Sequence, residues 1–293
     1  GQWICGAEIL GYDMDRFNPE NLAKVIRRCK PTTFCVPPTM YRFLLKNGIT
    51  KEDFASVVHC STAGEALPPE VSEEFKRITG LSIYEGFGQT ESSVMLATYQ
   101  WFPAKPGSMG KPSPLYDIAV IDANGNRLGV GETGELVVMG MDKGTPPGLF
   151  YGYWSPEGIK NPFGDGIYHL GDMAWMDDDG YFWYVGRNDD MIKCSGYRIG
   201  PFEIESILLT HPAVLECAIT GAPDPIRGQV VKASIVLMKG FEGSDELIKE
   251  LQNYVKKLTA PYKYPRIVEF VKELPKTTSG KISRVQIRNK KEN

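Results

Sequence analysis

The run GRNDDMIKCSGYR, residues 186–198, decides how this chain is divided, because it reads as a charged joint between a large domain and a small one. GFGQTE at 86–91 and YHLGD at 168–172 lie upstream of it, and PKTTSGK at 275–281 lies downstream. Each segment alone is weak, but four of them in this order are hard to obtain by chance.

The texture of the sequence changes twice along the chain. Residues 1–104 alternate helical and extended patterns. Asn18-Pro19 starts a helix with Leu22, Val25, Ile26 and Cys29 at i, i+3, i+4 and i+7. TTFCV (32–36), a helix holding Tyr41, Leu44 and Leu45, SVVHCS (56–61), a helix from Pro69 to Thr79 and LSIYE (81–85) follow. Such alternation implies a parallel sheet covered by helices. Residues 105–188 read as short strands cut by Gly, Pro and Asn turns, including Ala123-Asn124-Gly125-Asn126 and Gly131-Glu132-Thr133-Gly134, and so as an antiparallel, barrel-like subdomain. Residues 189–293 read as a small α+β domain. It has helices from Pro201 to Thr210 and Asp245 to Leu258, and strands near 215–220, 231–237 and 266–271. The expected fold is therefore α/β followed by α+β.

Composition sets bounds. At 293 residues and 42% hydrophobic, the chain is long enough to bury a core and to form more than one domain. A net charge of -3 gives no support to a nucleic-acid-binding role. The six cysteines show neither CxxC nor Cys/His ligand spacing, which argues against zinc and against a disulfide scaffold and points to a reducing compartment. No apolar run approaches the roughly 18 residues of a membrane span.

Several residues can carry chemistry. Gly86 and Gly88 follow a strand of the parallel sheet and permit close backbone approach to a nucleotide; Thr90 offers a hydroxyl to a phosphate and Glu91 an oxygen ligand to magnesium. A glycine-rich turn before a helix accounts for the same letters. STAGEAL (61–67), with Gly64 and Glu65, ends the neighbouring strand in small residues and would complete one rim. Asp172 could accept two ribose hydroxyls, although Gly-Asp turns are common, and Arg187 suits either a phosphate or a salt bridge. Lys281 sits on a hydroxyl-rich, glycine-containing loop that could carry its ammonium into a cleft. It is not in a phosphate loop of the GxxxxGK[ST] type, since Pro275 and Ile282 occupy the required positions. Lys256, Tyr264 and Arg266, with Arg227 on the DPIRG turn, form a basic and aromatic group suited to a phosphorylated nucleotide. A solvated surface explains such a group equally well.

Taken together, GFGQTE, YHLGD, GRNDDMIKCSGYRIGPFEIE, HPAVLECAITGAPDPIRGQVVKA, TAPYKYPR and LPKTTSGKISR resemble the adenylate-forming acyl-CoA synthetases, most nearly the medium-chain, AMP-forming branch. The resemblance covers nearly the whole chain. It implies ATP, Mg2+ and coenzyme A as reactants and cofactor, with a small carboxylic acid as the substrate. The acid and ATP give an acyl-adenylate, and the coenzyme A thiol then displaces AMP. By resemblance Lys281 bridges the acid carboxylate and the α-phosphate, and Thr90 and Glu91 contact phosphate and magnesium. Glu85, Gly86, Phe87, Gly88 and Gln89 line the adenine, Asp172 clamps the ribose, and Arg187 contacts ribose or phosphate. Arg198 lies near the phosphates and acyl group. Asp189 is the hinge about which the small domain rotates between the two steps. Ser195, Gly196 and Tyr197 then line the pantetheine tunnel, and Arg227, Lys256, Tyr264, Pro265 and Arg266 hold the nucleotide end of coenzyme A.

Acetate-specific relatives carry a tryptophan where this chain has Gly88, so the resemblance favours a medium-chain fatty acid or an aromatic acid of similar size. The family's upstream phosphate loop is absent from residues 1–293, which implies the C-terminal portion of a protein nearly twice as long, inactive alone. The expected location is the cytoplasm, with the mitochondrial matrix as the alternative, and a homodimer is compatible with the family. Aryl-CoA ligase activity, or a catalytically silent nucleotide- or coenzyme A-binding module, are the competing readings.

Overall fold

Asn18 opens the first helix as the sequence asks: its side-chain oxygen accepts the backbone N–H of Asn21 at 2.9 Å, and Pro19 occupies the first turn, where a missing N–H costs nothing. In the computed structural model, which describes residues 4–14, 17–277 and 281–289, α1 spans Pro19–Cys29. Leu22 and Ile26 are buried, whereas Val25 is half-buried and Cys29 is exposed, so the inward stripe is narrower than the spacing implies. Then come β1 (Thr33–Cys35), α2 (Pro38–Lys46), β2 (His59–Ala63), α3 (Pro69–Thr79) and β3 (Ile83–Phe87). These three strands pair in parallel, with Cys60 opposite Phe34 and Ile83. β2 begins later than its apolar letters suggest, because Val57 packs into the core below the sheet while Val58 is 75% exposed.

The chain then folds back through β4 (Leu96–Ala97) and β5 (Ser108–Pro112), each antiparallel to its predecessor. These two short strands extend the first sheet, and its compact unit runs to Ser113; the second unit is Pro114–Asn293. The core of the first unit is aromatic. Phe34, Tyr41, Phe54 and Phe75 meet edge to face at 5.0–5.5 Å. The buried Tyr41 hydroxyl donates toward the carbonyls of Phe34 and Ser61, which ties α2 to β1 and β2.

In the second unit β6 (Ile118–Ile121), β7 (Gly134–Met139), β10 (Ile167–Met176) and β11 (Phe182–Arg187) form an open antiparallel ladder in the order β6-β7-β10-β11. The two-stranded hairpin β8 (Tyr153–Ser155) and β9 (Gly158–Lys160) stands apart from it. The expected turn at 123–126 forms because one Asp122 oxygen accepts the N–H groups of Asn124 and Asn126. A single 3-10 turn, Asn188–Asp190, ends this ladder.

Beyond that turn a second sheet is built from β12 (Ile192–Cys194), β13 (Tyr197–Ile199), β14 (Val214–Asp224), β15 (Gly228–Leu237) and β16 (Ile267–Phe270), with helices α4 (Pro201–Thr210), α5 (Asp245–Leu258) and α6 (Arg284–Asn289). β14 and β15 form a long hairpin; β12 and β16 share the other edge of β15. Ser244 caps α5 by accepting the Leu247 N–H, and Leu247, Leu251 and Val255 fall on one face packed with Ile204 and Leu208 of α4. No helix is long and apolar enough to cross a membrane among the described residues.

Candidate functional site

The centre of the second unit is an irregularity in β10. Its pairing with β7 slips between His169 and Asp172, and Gly171 in the gap has φ +71. A bulge with glycine in the left-handed region bends the strand and re-aims the residues beside it. Here it places Asp172, 4% exposed, directly across the ladder from Arg187. Arg187 Nη1 donates to the Leu170 carbonyl at 3.0 Å and to Asp172 Oδ2 at 3.4 Å, and its Nε lies 3.7 Å from Asp189 Oδ1. Partial burial opposes the arginine charge, but the two carboxylates outweigh it and hold the guanidinium's pKa above its usual value.

An open cleft of about 530 Å³ lies over this pair, lined by Gly171, Arg187, Asn188, Asp189, Lys193 and Arg198. Arg198 is exposed and donates to Asn188 Oδ1 at 2.9 Å. Three cations therefore face one opening beside a buried carboxylate. Asn188 and Lys193 were not singled out from sequence. The signal for Lys193 was present in the hairpin alternation, which sets it opposite Arg198.

In the first unit, the ends of β2 and β3 are adjacent, with Ala63 opposite Gly86. Gly64 has φ +90 and turns the chain after β2. Glu65 is committed to packing: its Oε2 accepts the Thr39 hydroxyl at 2.6 Å and the Thr39 N–H at 3.4 Å, supplying the N-terminal cap that Pro37 cannot give α2. Glu85, Gly86 and Phe87 belong to β3 itself, and the loop proper starts at Gly88. Glu85 is buried and accepts the Leu67 N–H at 3.3 Å; burial pushes its carboxyl up to about 8 against that hydrogen bond. Gln89 and Ser92 close a tight turn, the Gln89 N–H donating to Ser92 Oγ at 3.1 Å, with exposed Thr90 and half-buried Glu91 at its tip. A Cβ on Gly88 would lie 2.9 Å from the Ser93 carbonyl oxygen. The absence of a side chain at 88 thus serves this turn, and a tryptophan there would require the loop to move.

The hairpin β12–β13 turns on Ser195 and Gly196, with φ values of 49° and 84°. Ser195 N–H donates to the Arg227 carbonyl at 3.0 Å, and Arg227 Nη1 donates to Ser195 Oγ at 3.4 Å. Tyr197 stacks on Tyr262 at 4.2 Å between centroids. A second group forms around Tyr264, with Lys256 Nζ 4.0 Å from its centroid, Arg266 at 5.0 Å, and Arg266 Nη1 donating to the Tyr264 hydroxyl at 2.9 Å. Pro265 is buried, between half-buried Tyr264 and exposed Arg266. Lys281 is exposed, at the foot of a hairpin in which Lys276 bridges Ile282, and it does not line the Arg187 cleft. Thr278, Ser279 and Gly280 of the expected lysine loop lie outside the described residues.

These residues fit the expected nucleotide chemistry. The buried Asp172 carboxylate suits ribose hydroxyls, the cleft cations suit phosphates, and Glu91 suits Mg2+, which typically takes one or two carboxylates and completes its shell with phosphate oxygens. Residues 2–154 match the AMP-binding enzyme family, and residues 203–281 match the AMP-binding enzyme C-terminal domain. The chain is 47% identical over 291 residues to the mitochondrial acyl-coenzyme A synthetase ACSM3 of Homo sapiens, covering 98% of this chain and 50% of that protein. It therefore spans about half the length of such relatives. The anthranilate CoA ligase AuaEII in complex with anthranoyl-AMP superposes with a TM-score of 0.87 at 35% identity, over 98% of this chain and 54% of that one. The benzoate CoA ligase of Burkholderia xenovorans LB400 does so with a TM-score of 0.81 at 34% identity, over 94% and 54%.

Proposed function

The chain belongs to the AMP-binding enzyme family, and from that premise we propose that it forms the nucleotide- and thiol-handling portion of an AMP-forming acyl-CoA synthetase. The whole protein would convert a carboxylic acid, ATP and coenzyme A into acyl-CoA, AMP and diphosphate. The observation that carries this reading is the bulge that holds Asp172 buried against Arg187 at the mouth of a cationic cleft.

In this reading Asp172 accepts the ribose hydroxyls and Arg187 is held by Asp172 and Asp189 to meet ribose or phosphate. The β2 and β3 ends receive the adenine, with Glu85 acting from beneath as a neutral, buried side chain. Thr90 donates to phosphate and Glu91 supplies an oxygen to Mg2+, which neutralises phosphate charge when bound. Lys281 meets the acid carboxylate and α-phosphate together, offsetting their repulsion. The turn Asn188–Asp190 is short, exposed at Asn188 and Asp189, and placed where one sheet ends and the next begins, which suits the hinge role of Asp189 and a small domain from 189 onward. After rotation the Ser195–Gly196 turn and Tyr197 admit the pantetheine arm. Arg227 and the Lys256–Tyr264–Arg266 group hold the nucleotide end of coenzyme A by charge and stacking.

The relatives' names favour an acyl-CoA product and the mitochondrion over the cytoplasm, the Gly88 position favours a medium-chain acid, and the solved aryl-CoA ligases favour an aromatic acid. A homodimer belongs to the same proposal. Diphosphate release by a full-length protein carrying this chain, across straight-chain acids from acetate to dodecanoate plus benzoate, tests the reading. Release should peak at a medium-chain or aromatic acid, and Asp172→Ala should raise KM for ATP about tenfold or more without changing KM for the acid. Acid-independent ATP turnover, or an unchanged KM for ATP, contradicts it.

A further inference from the structure

The segment that carries Lys281 is an arm anchored at both feet. On one side Lys276 Nζ meets Glu216 Oε1 of β14 at 2.8 Å. The Thr277 N–H donates to the Lys281 carbonyl and the Ser283 N–H to the Pro275 carbonyl, each at 2.8 Å, so the two limbs are stapled together. Leu274 and Ile287 close an apolar cluster with Ala218 and Val236 beneath the arm.

On the other side α6 begins three residues after Lys281 and carries two arginines. Arg284 makes a bidentate pair with Glu205 of α4, its Nη2 lying 2.8 and 2.7 Å from the two carboxylate oxygens, and its Nη1 is 3.4 Å from Asp190 Oδ2. Arg288 Nη1 donates to the other Asp190 oxygen. Asp190 directly follows Asp189, and its side chain is only 10% exposed, so the pair is shielded from solvent and fixed in direction.

We propose that Arg284 and Arg288 are positioning residues: by clamping Asp190 they make the Lys281 arm rigid with the residue beside the hinge, so that rotation at Asp189 carries the Lys281 ammonium to and from the adenylation site. Neither arginine needs to touch a substrate. A flexible attachment would let the arm lag behind the domain, and an error of about 1 Å at a reacting group is enough to cost about a hundredfold in rate. The inference rests on reading Lys281 as the adenylation lysine.

The test is Arg288→Met in a full-length protein carrying this chain, with the two half-reactions measured separately. Acid-dependent ATP–diphosphate exchange should fall about a hundredfold in kcat with KM for ATP unchanged, while thioester formation from supplied acyl-adenylate stays normal. Adding Arg288→Met to Lys281→Ala should cause no further loss, because the clamp acts only through the lysine. If Arg288→Met fails to fold, Arg288→Lys, which keeps the charge but not the fork geometry, should show the same selective loss to a smaller degree. Equal loss in both half-reactions, a further loss on top of Lys281→Ala, or no loss at all would overturn the clamp. Normal exchange in Lys281→Ala alone would overturn the lysine reading and the clamp with it.

Discussion

Glu85 shows how far a letter and its environment can differ. The family resemblance implies that it lines the adenine, and nothing in the sequence says that its carboxyl is buried with one N–H for company. The fold raises its pKa from 4.5 to about 8, so the native state binds a proton that the unfolded chain releases. Stability should therefore fall as pH rises between these values, by up to about 1.4 kcal/mol per pH unit, and level off above them. Glu85→Gln imitates the protonated form and should flatten that slope in thermal unfolding scans from pH 5 to 9. Parallel profiles for the two proteins would show that Glu85 ionises normally. At Gly88 the family resemblance favours a larger acid than acetate, whereas the nearby Ser93 carbonyl gives the glycine a local reason to be there.

At the scale of elements, legibility followed the range of the determining interactions. α3, α4 and α5 have the bounds that proline starts, caps and periodicity indicate, because those signals are local. The bulge at Leu170–Gly171 was not readable, since it depends on registers with two neighbouring strands. Nor was the commitment of Glu65 to α2, whose partner is twenty-six residues away in the chain. The Ser195–Gly196 turn is local, yet the family resemblance places these residues only along the pantetheine tunnel and does not mark the turn. Both residues have positive φ, the pattern of a two-residue turn of type I′. Because nothing lies within 4 Å of a Cβ at 196, a substitution there tests backbone strain alone. Gly196→Val should lower unfolding stability by about 1–2 kcal/mol, and Gly196→Asn by less, in denaturant titrations. Equal effects of the two would mean that the turn does not hold its left-handed geometry.

For the molecule as a whole, six separated motifs fall into two compact units: the β2 and β3 ends, proposed to receive the adenine, lie in Gly1–Ser113, while Asp172, the β12–β13 hairpin and Lys281 lie in Pro114–Asn293. Lys281 lies outside the Arg187 cleft while Lys193 and Arg198 of the β12–β13 hairpin line it, an arrangement suited to the second half-reaction rather than the first. If one site serves both steps of the proposed reaction, these groups must exchange places. That division of labour is measured by Lys281→Ala, with acyl-adenylate formation and thioester formation from supplied acyl-adenylate assayed side by side in a full-length protein. Adenylation should drop about a hundredfold to a thousandfold while the thioester step stays intact; comparable losses in both steps, or in neither, would contradict it.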